Sequence, residues 1–159
     1  MLTQNLQEAY NKQLNKEFFS SYLYLSMAAF CEHIGLPGAA NWMRVQAEEE
    51  NFHAMKFFTY INERGGRIEL DAIEKPQNEW KNLLDIFECV LKHEQYITKS
   101  INDLMNLAMD ERDHASVQFL SWFINEQVEE EATVSDIINK LKITGADGQA
   151  LFMIDQILA

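Results

Sequence analysis

The sequence predicts an all-α fold: a four-helix bundle with a long crossover between its second and third helices and a short fifth, C-terminal helix. Three observations predict it. Only two prolines, Pro37 and Pro76, and six glycines interrupt 159 residues, so helices can run long. Four segments repeat apolar residues at alternating spacings of three and four, the mark of a helix with one buried stripe. The interval between the second and third segments is too long for a hairpin and suits a crossover between parallel helices.

The first helix should run from Thr3, a suitable N-cap, to His33, with Gly35 and Pro37 as punctuation. Pro37 can open the second helix, which should end at Arg64 before Gly65-Gly66. The crossover then extends to Asn78. The third helix is expected over 79–109, a turn over 110–113, and the fourth helix from there to Ile143. Thr144-Gly145 breaks the pattern, and 147–158 forms the fifth helix. At 1.5 Å per residue the long helices span roughly 40–45 Å each. The expectation is a single domain over 1–159, with the bundle over about 3–143.

Composition excludes several function classes. A hydrophobic content of 47% is that of a globular chain, not a disordered one. Thirteen Lys and Arg against 25 Asp and Glu give a formal charge of −12, which opposes simple binding to nucleic acid or to an anionic membrane and attracts cations. The opening MLTQNLQEAYNKQL lacks the cationic and apolar regions of a signal peptide. No stretch of about 18 apolar residues is present, and Cys31 and Cys89 belong to no motif. These features lead us to expect a soluble protein of the reducing cytoplasm, with no nucleic-acid or membrane partner.

The chemistry lies where the buried stripes are interrupted. They read Tyr10, Leu14, Glu17, Ser21, Tyr24, Ala28, Cys31 in the first helix and Met43, Gln46, Glu50, His53, Phe57, Tyr60 in the second. In the third they read Leu83, Phe87, Val90, Glu94, Ile97, Ile101, Leu104, and in the fourth Leu120, Phe123, Gln127, Glu130, Val134, Ile137, Leu141. Each carries an acid at a core position near mid-helix. A lone glutamate on a helix is ordinarily exposed, but four misphased stripes with fitting apolar flanks would be needed to move all four outward. An ionised carboxylate in a core costs on the order of several kcal/mol, and no Lys or Arg occurs in these stripes to neutralise it. A bound cation is the simplest compensation. Glu50 and His53, at i and i+3, share a face. Carboxylates with one imidazole form an oxygen-rich set suited to iron or manganese more than to structural zinc.

Glu17, Glu50, His53, Glu94, Gln127 and Glu130, within AEEENFHAMKF, KHEQYITKSIN and FINEQVEEE, resemble the diiron ferroxidase set of bacterial non-haem ferritins. The resemblance spans essentially the whole chain, and ferritin-like carboxylate bundles are a known case of this architecture. It implies iron as the metal, Fe(II) and dioxygen as substrates, oxidation at a buried diiron centre and storage of a ferric oxide mineral. It implies Glu17 and His53 on the first iron, Glu50 as a bridge, and Glu94 and Glu130 on the second. Gln127 would be a weak ligand or an outer hydrogen bonder. It stands where a second Glu-x-x-His would sit in haem-containing bacterioferritins and rubrerythrin-like proteins, and Asn51 replaces the bacterioferritin haem-ligating methionine, so no haem is expected. Tyr24 is either an electron donor beside the centre or a core tyrosine with a satisfied hydroxyl. Glu49, Glu126 and Glu129 match a third iron site of prokaryotic ferritins; the plain alternative is a solvated acidic face.

Phe19, Tyr22, Leu23 and Phe30 lie roughly 130–170° from the first helix's core stripe, a second apolar face that predicts a homo-oligomer. The resemblance makes it a hollow shell of twenty-four copies, with Leu151, Phe152, Ile154, Ile157 and Leu158 of the fifth helix packing around four-fold axes; alternatively that helix only covers the bundle end. A rubrerythrin-like peroxidase and a DNA-binding mini-ferritin are the rival classes. The first lacks its second Glu-x-x-His and its cysteine pairs, the second its basic tail.

Overall fold

A computed structural model describes residues 1–145 and 147–159. Five helices follow in order: α1 (Gln4–His33), α2 (Pro37–Glu63), α3 (Leu83–Asp110), α4 (His114–Thr144) and α5 (Gly148–Leu158). The expected boundaries hold to within about a residue except at the start of α3. There the helix begins at Leu83 rather than Glu79, because Asn82 supplies the cap: its side chain accepts from Asp85 N at 2.9 Å, and the Asp85 carboxylate accepts from Lys81 N at 2.9 Å. Trp80 is thereby left in the loop, buried against Phe30 with ring centroids 5.5 Å apart.

The crossover, residues 64–82, climbs the outer face of α1. Gln7 accepts from Arg67 N, Asn11 from Glu69 N, Asn15 donates to the carbonyls of Asp71 and Ala72, and Ser26 donates to that of Gln77. Successive partners 7, 11, 15 and 26 show the loop travelling the length of the helix, so α2 and α3 begin at the same end and run parallel. Cross-helix bonds Ser20–His93 and Gln13–Ser100 set α1 antiparallel to α3. The pairs Tyr60–Ser116 and Arg64–Asp113 do the same for α2 and α4.

This route corrects one expectation. Leu23 is already buried within the single chain, Phe19 packs against His93, and Phe30 lies under Trp80. Of the four residues expected on an open apolar face, only Tyr22, 50% exposed, stays uncovered. α3 and the crossover cover the others. The apolar side chains that do face solvent include Tyr22, Leu25 and Val45 on α1 and α2, and Phe152, Met153 and Ile157 on α5.

α5 docks through one face. Ile154 and Leu158 are buried, and Asp155 Oδ1 accepts from Ala39 N at 2.8 Å, an anion at the start of α2. The approach is tight enough that a Cβ on Gly38 would stand 1.8 Å from the Asp155 carbonyl oxygen. Ile154 and Leu158, expected at an intersubunit contact, are therefore committed to the bundle end.

The interior is two apolar clusters rather than one. One gathers around Met27, Met43 and Phe87 at the α5 end; the other gathers around Tyr10, Phe57 and Phe123. Between them lies a belt of buried polar side chains.

Candidate metal centre

The belt is built by the four interrupted stripes. Glu17 is 1% exposed, Glu50 1%, His53 2%, Glu94 0%, Gln127 3% and Glu130 7%, so all six expected core positions are buried. On α3 and α4 every residue of the predicted stripe is buried. On α1 and α2 the stripe slips by one residue at single positions, with Ser20 and Ile61 buried where Ser21 and Tyr60 were expected.

Glu17, Glu50 and His53 each bring one ligand atom within 4.8 Å of the others. His53 Nδ1 lies 3.5 Å from Glu50 Oε2, the product of their i, i+3 spacing. Glu17 Oε2, Glu50 Oε2 and His53 Nε2 are buried and have no hydrogen-bond partner. Buried polar atoms are ordinarily satisfied, so an unpartnered atom on each of these three clustered residues is what a bound cation would complete. Among the described residues no Lys or Arg pairs with these carboxylates.

Electrostatics agree. Burial, then the Glu50 charge, raises Glu17 well above the usual carboxylate range. Burial, then Glu94, does the same to Glu50. Glu94 is raised chiefly by burial, and Glu130 is pushed up to about 8 by burial and then by Glu94 and Glu49. Four buried acids held together against their own repulsion are a setting that a bound cation would relieve.

Tyr24 and Gln127 serve Glu94. Tyr24 Oη donates to Glu94 Oε1 at 2.6 Å, and Gln127 Nε2 donates to Glu94 Oε2 at 3.1 Å while also reaching the Glu94 carbonyl and Thr98 Oγ1. Gln127 is thus hydrogen-bonded to Glu94 on both its carboxylate and its carbonyl. His53 also belongs to a second group with half-buried Glu49 and Glu126, again with ligand atoms within 4.8 Å. Glu129 does not join it and is exposed, one residue round the helix from Glu130. The remaining histidines divide: His33 and His114 are exposed, whereas His93 packs between α1 and α3.

A sequence model of the Ferritin-like domain matches residues 7–144, most of the chain. The chain belongs to the ferritin family. Among relatives of this ferritin-family chain, a probable bacterial non-heme ferritin-like protein of Haemophilus influenzae is 43% identical over 156 residues, 98% of this chain and 94% of that protein. A bacterial non-heme ferritin of Campylobacter jejuni is 40% identical, covering 98% and 93%. Of solved structures, an open pore ferritin from the archaeon Archaeoglobus fulgidus superposes with a TM-score of 0.98 at 49% identity, covering 99% of this chain and 98% of that one. That ferritin therefore shares the overall fold seen here.

Two contributors to the site are absent from the stripe pattern. Gln13 Nε2 donates to Glu17 Oε1 at 2.7 Å; its position one turn before Glu17 was a legible signal. Trp122 stands edge-on to His53, with centroids 5.3 Å apart and Lys56 Nζ 4.1 Å from its ring centroid; no periodicity pointed to it.

Proposed function

We propose that this chain is an iron-storage protein with ferroxidase activity. The observation that carries the reading is the convergence of Glu17, Glu50 and His53, from two helices, with an orphaned buried atom on each. The relatives named as non-heme ferritins support iron as the cation. Fe(II) is the substrate. Glu17 and His53 hold one ion, Glu94 and Glu130 a second, and Glu50 bridges them. Each Fe(II) loses one electron, and dioxygen gains both with two protons and leaves as hydrogen peroxide. Hydrolysis of the Fe(III) then releases protons to water, and the ferric oxide collects inside a hollow shell of twenty-four copies.

The protein's part is to place two cations side by side and leave coordination positions open for oxygen. Carboxylate charge favours Fe(III) over Fe(II) and draws the reaction forward. Tyr24 and Gln127 hold both oxygens of Glu94, which keeps that ligand aimed. Glu49 and Glu126, which are grouped with His53, form the third iron site. Asn51 offers no haem ligand, so the chemistry is non-haem. Exposed Tyr22, Leu25 and Val45, and Phe152, Met153 and Ile157 on the free face of α5, supply apolar area for assembly. Both cysteines are unpaired, and among the described residues no helix is long and apolar enough to cross a membrane; the unpaired thiols support placing the activity in the cytoplasm.

The test is aerobic Fe(II) addition to the apo-protein, followed optically and then by size-exclusion chromatography. A fast phase at about two irons per subunit and iron eluting with a large shell are expected. Glu50→Ala should abolish the fast phase and leave the shell assembled. Wild-type oxidation in that variant, or no retained iron in wild type, would sink the assignment.

A further inference from the structure

A chain of hydrogen bonds runs from the surface of α1 to the carboxylate of Glu17. Lys16 Nζ donates to Ser100 Oγ at 2.7 Å. Ser100 Oγ donates to Gln13 Oε1 at 2.6 Å, and Gln13 Nε2 donates to Glu17 Oε1 at 2.7 Å. Gln13 is 1% exposed and Ser100 8%. The polarity of this chain is set at its outer end. An ammonium group only donates, and a serine hydroxyl has a single hydrogen. Once Ser100 accepts from Lys16, its own hydrogen is free to pass inward to Gln13. Gln13 must then turn its carbonyl towards α3, which leaves its NH2 facing Glu17. The reverse amide orientation would set two acceptors, a carbonyl and a carboxylate, against each other.

We propose that Gln13, aligned by Ser100 and Lys16, is a positioning residue that fixes which oxygen of Glu17 is offered to the cation. Oε1 is occupied by the amide, and Oε2, buried and unpartnered, is the one that faces outward from this clamp. The inference rests on the iron reading above and extends it to residues that touch no metal. Without Lys16 the Ser100 hydroxyl can turn to its own helix carbonyl one turn back, as helical serines do. Gln13 is then free to flip, and Glu17 loses its donor. Outer partners of this kind orient ligands and contribute strongly to affinity.

Anaerobic titration of the assembled apo-protein with Co(II), read by its d–d absorption, separates the two ideas. Wild type should show a saturable band that Glu50→Ala abolishes; no band, or an unchanged one in that variant, overturns the metal-site reading and this inference with it. Given that control, Gln13→Leu should weaken Co(II) binding roughly 10–100-fold and shift the band. Ser100→Ala and Lys16→Met should weaken it in the same direction, with Ser100→Thr and Lys16→Arg restoring it. If Gln13→Leu does not assemble, the Ser100 and Lys16 pairs decide. Wild-type affinity and spectrum in Ser100→Ala and Lys16→Met would overturn the positioning role while leaving the metal site standing.

Discussion

His93 and His53 are both imidazoles turned into the bundle, and they live in opposite circumstances. His93 meets Ser20 Oγ at 2.7 Å, rests on Phe19, and is pushed down to about 4 by burial. It is a neutral packing side chain with its polar atom satisfied. His53 stands 3.5 Å from Glu50, belongs to two separate acidic groups, and keeps a buried nitrogen without a partner. Both residues have a glutamate close in sequence, so proximity does not separate them. Spacing does. His93 precedes Glu94 directly, and adjacent helical residues point about 100° apart, whereas His53 comes three residues after Glu50 and shares its face. A buried histidine becomes a ligand when its helix aims it where acids also point.

The sharpest way to break this contrast is to remove each ring. His53→Ala should lower the Fe(II) oxidation rate by more than the roughly 10–100-fold that loss of an outer partner costs. His93→Gln should leave the rate unchanged and alter stability only. Stopped-flow oxidation of both variants checks this, and a slow His93→Gln would remove the distinction drawn between them.

A smaller effect separates the acidic belt from the His93 packing site by pH. The folded apo-chain keeps the Glu130 proton up to about 8, whereas an unfolded glutamate releases it near 4.5. Between those values the folded state binds more protons, so this group makes the apo-chain less stable as pH rises, by on the order of 5 kcal/mol. Glu17, Glu50 and Glu94, also raised, act in the same sense. A divalent cation in the site should cancel the loss. His93 works the other way. Unfolded histidine takes a proton near 6.5 and the folded ring refuses it until about 4, so stability from this group falls as pH drops through that window. Urea midpoints of apo-protein at pH 5, 6.5 and 8, with and without Mn(II), should show a basic-side loss that Mn(II) and Glu130→Gln both relieve. The acid-side loss should be relieved by His93→Gln alone.

The same geometry decides how far the sequence could be read. Stripe phase located the six belt residues, because an acid flanked by apolar residues three and four away has nowhere else to point. It also located α3 and α4 almost in full. What it could not supply was register between helices. Gln13 lies one turn before Glu17 and was visible as a neighbour, but its partner Ser100 is set by how α1 slides along α3. The outer face of α1 was misjudged for a related reason. Periodicity shows that Phe19, Leu23 and Phe30 are apolar, not that α3 and the crossover will cover them. The start of α3 slipped because Asn82, not the first periodic residue, holds the cap.

The finest distinction concerns the second acidic group, the one that uses His53 but not His93. Glu126 precedes Glu130 by four residues and shares its face, so with Glu49 it reaches His53. Glu129 precedes Glu130 by one, is turned about 100° away and is exposed. Replacing Glu126 by Gln should leave the first two irons per subunit oxidising at the wild-type rate and alter the later phase, with iron leaving the centre more slowly. Glu129→Gln removes the same charge from the same stretch of the same helix and should change neither phase beyond a slight loss of general attraction for cations, which salt would screen. Sequential additions of Fe(II), with the fast phase re-measured after each, read the difference directly. Equal effects in the two variants would mean that the acidic surface acts through its summed field, and that His53 serves one centre rather than two.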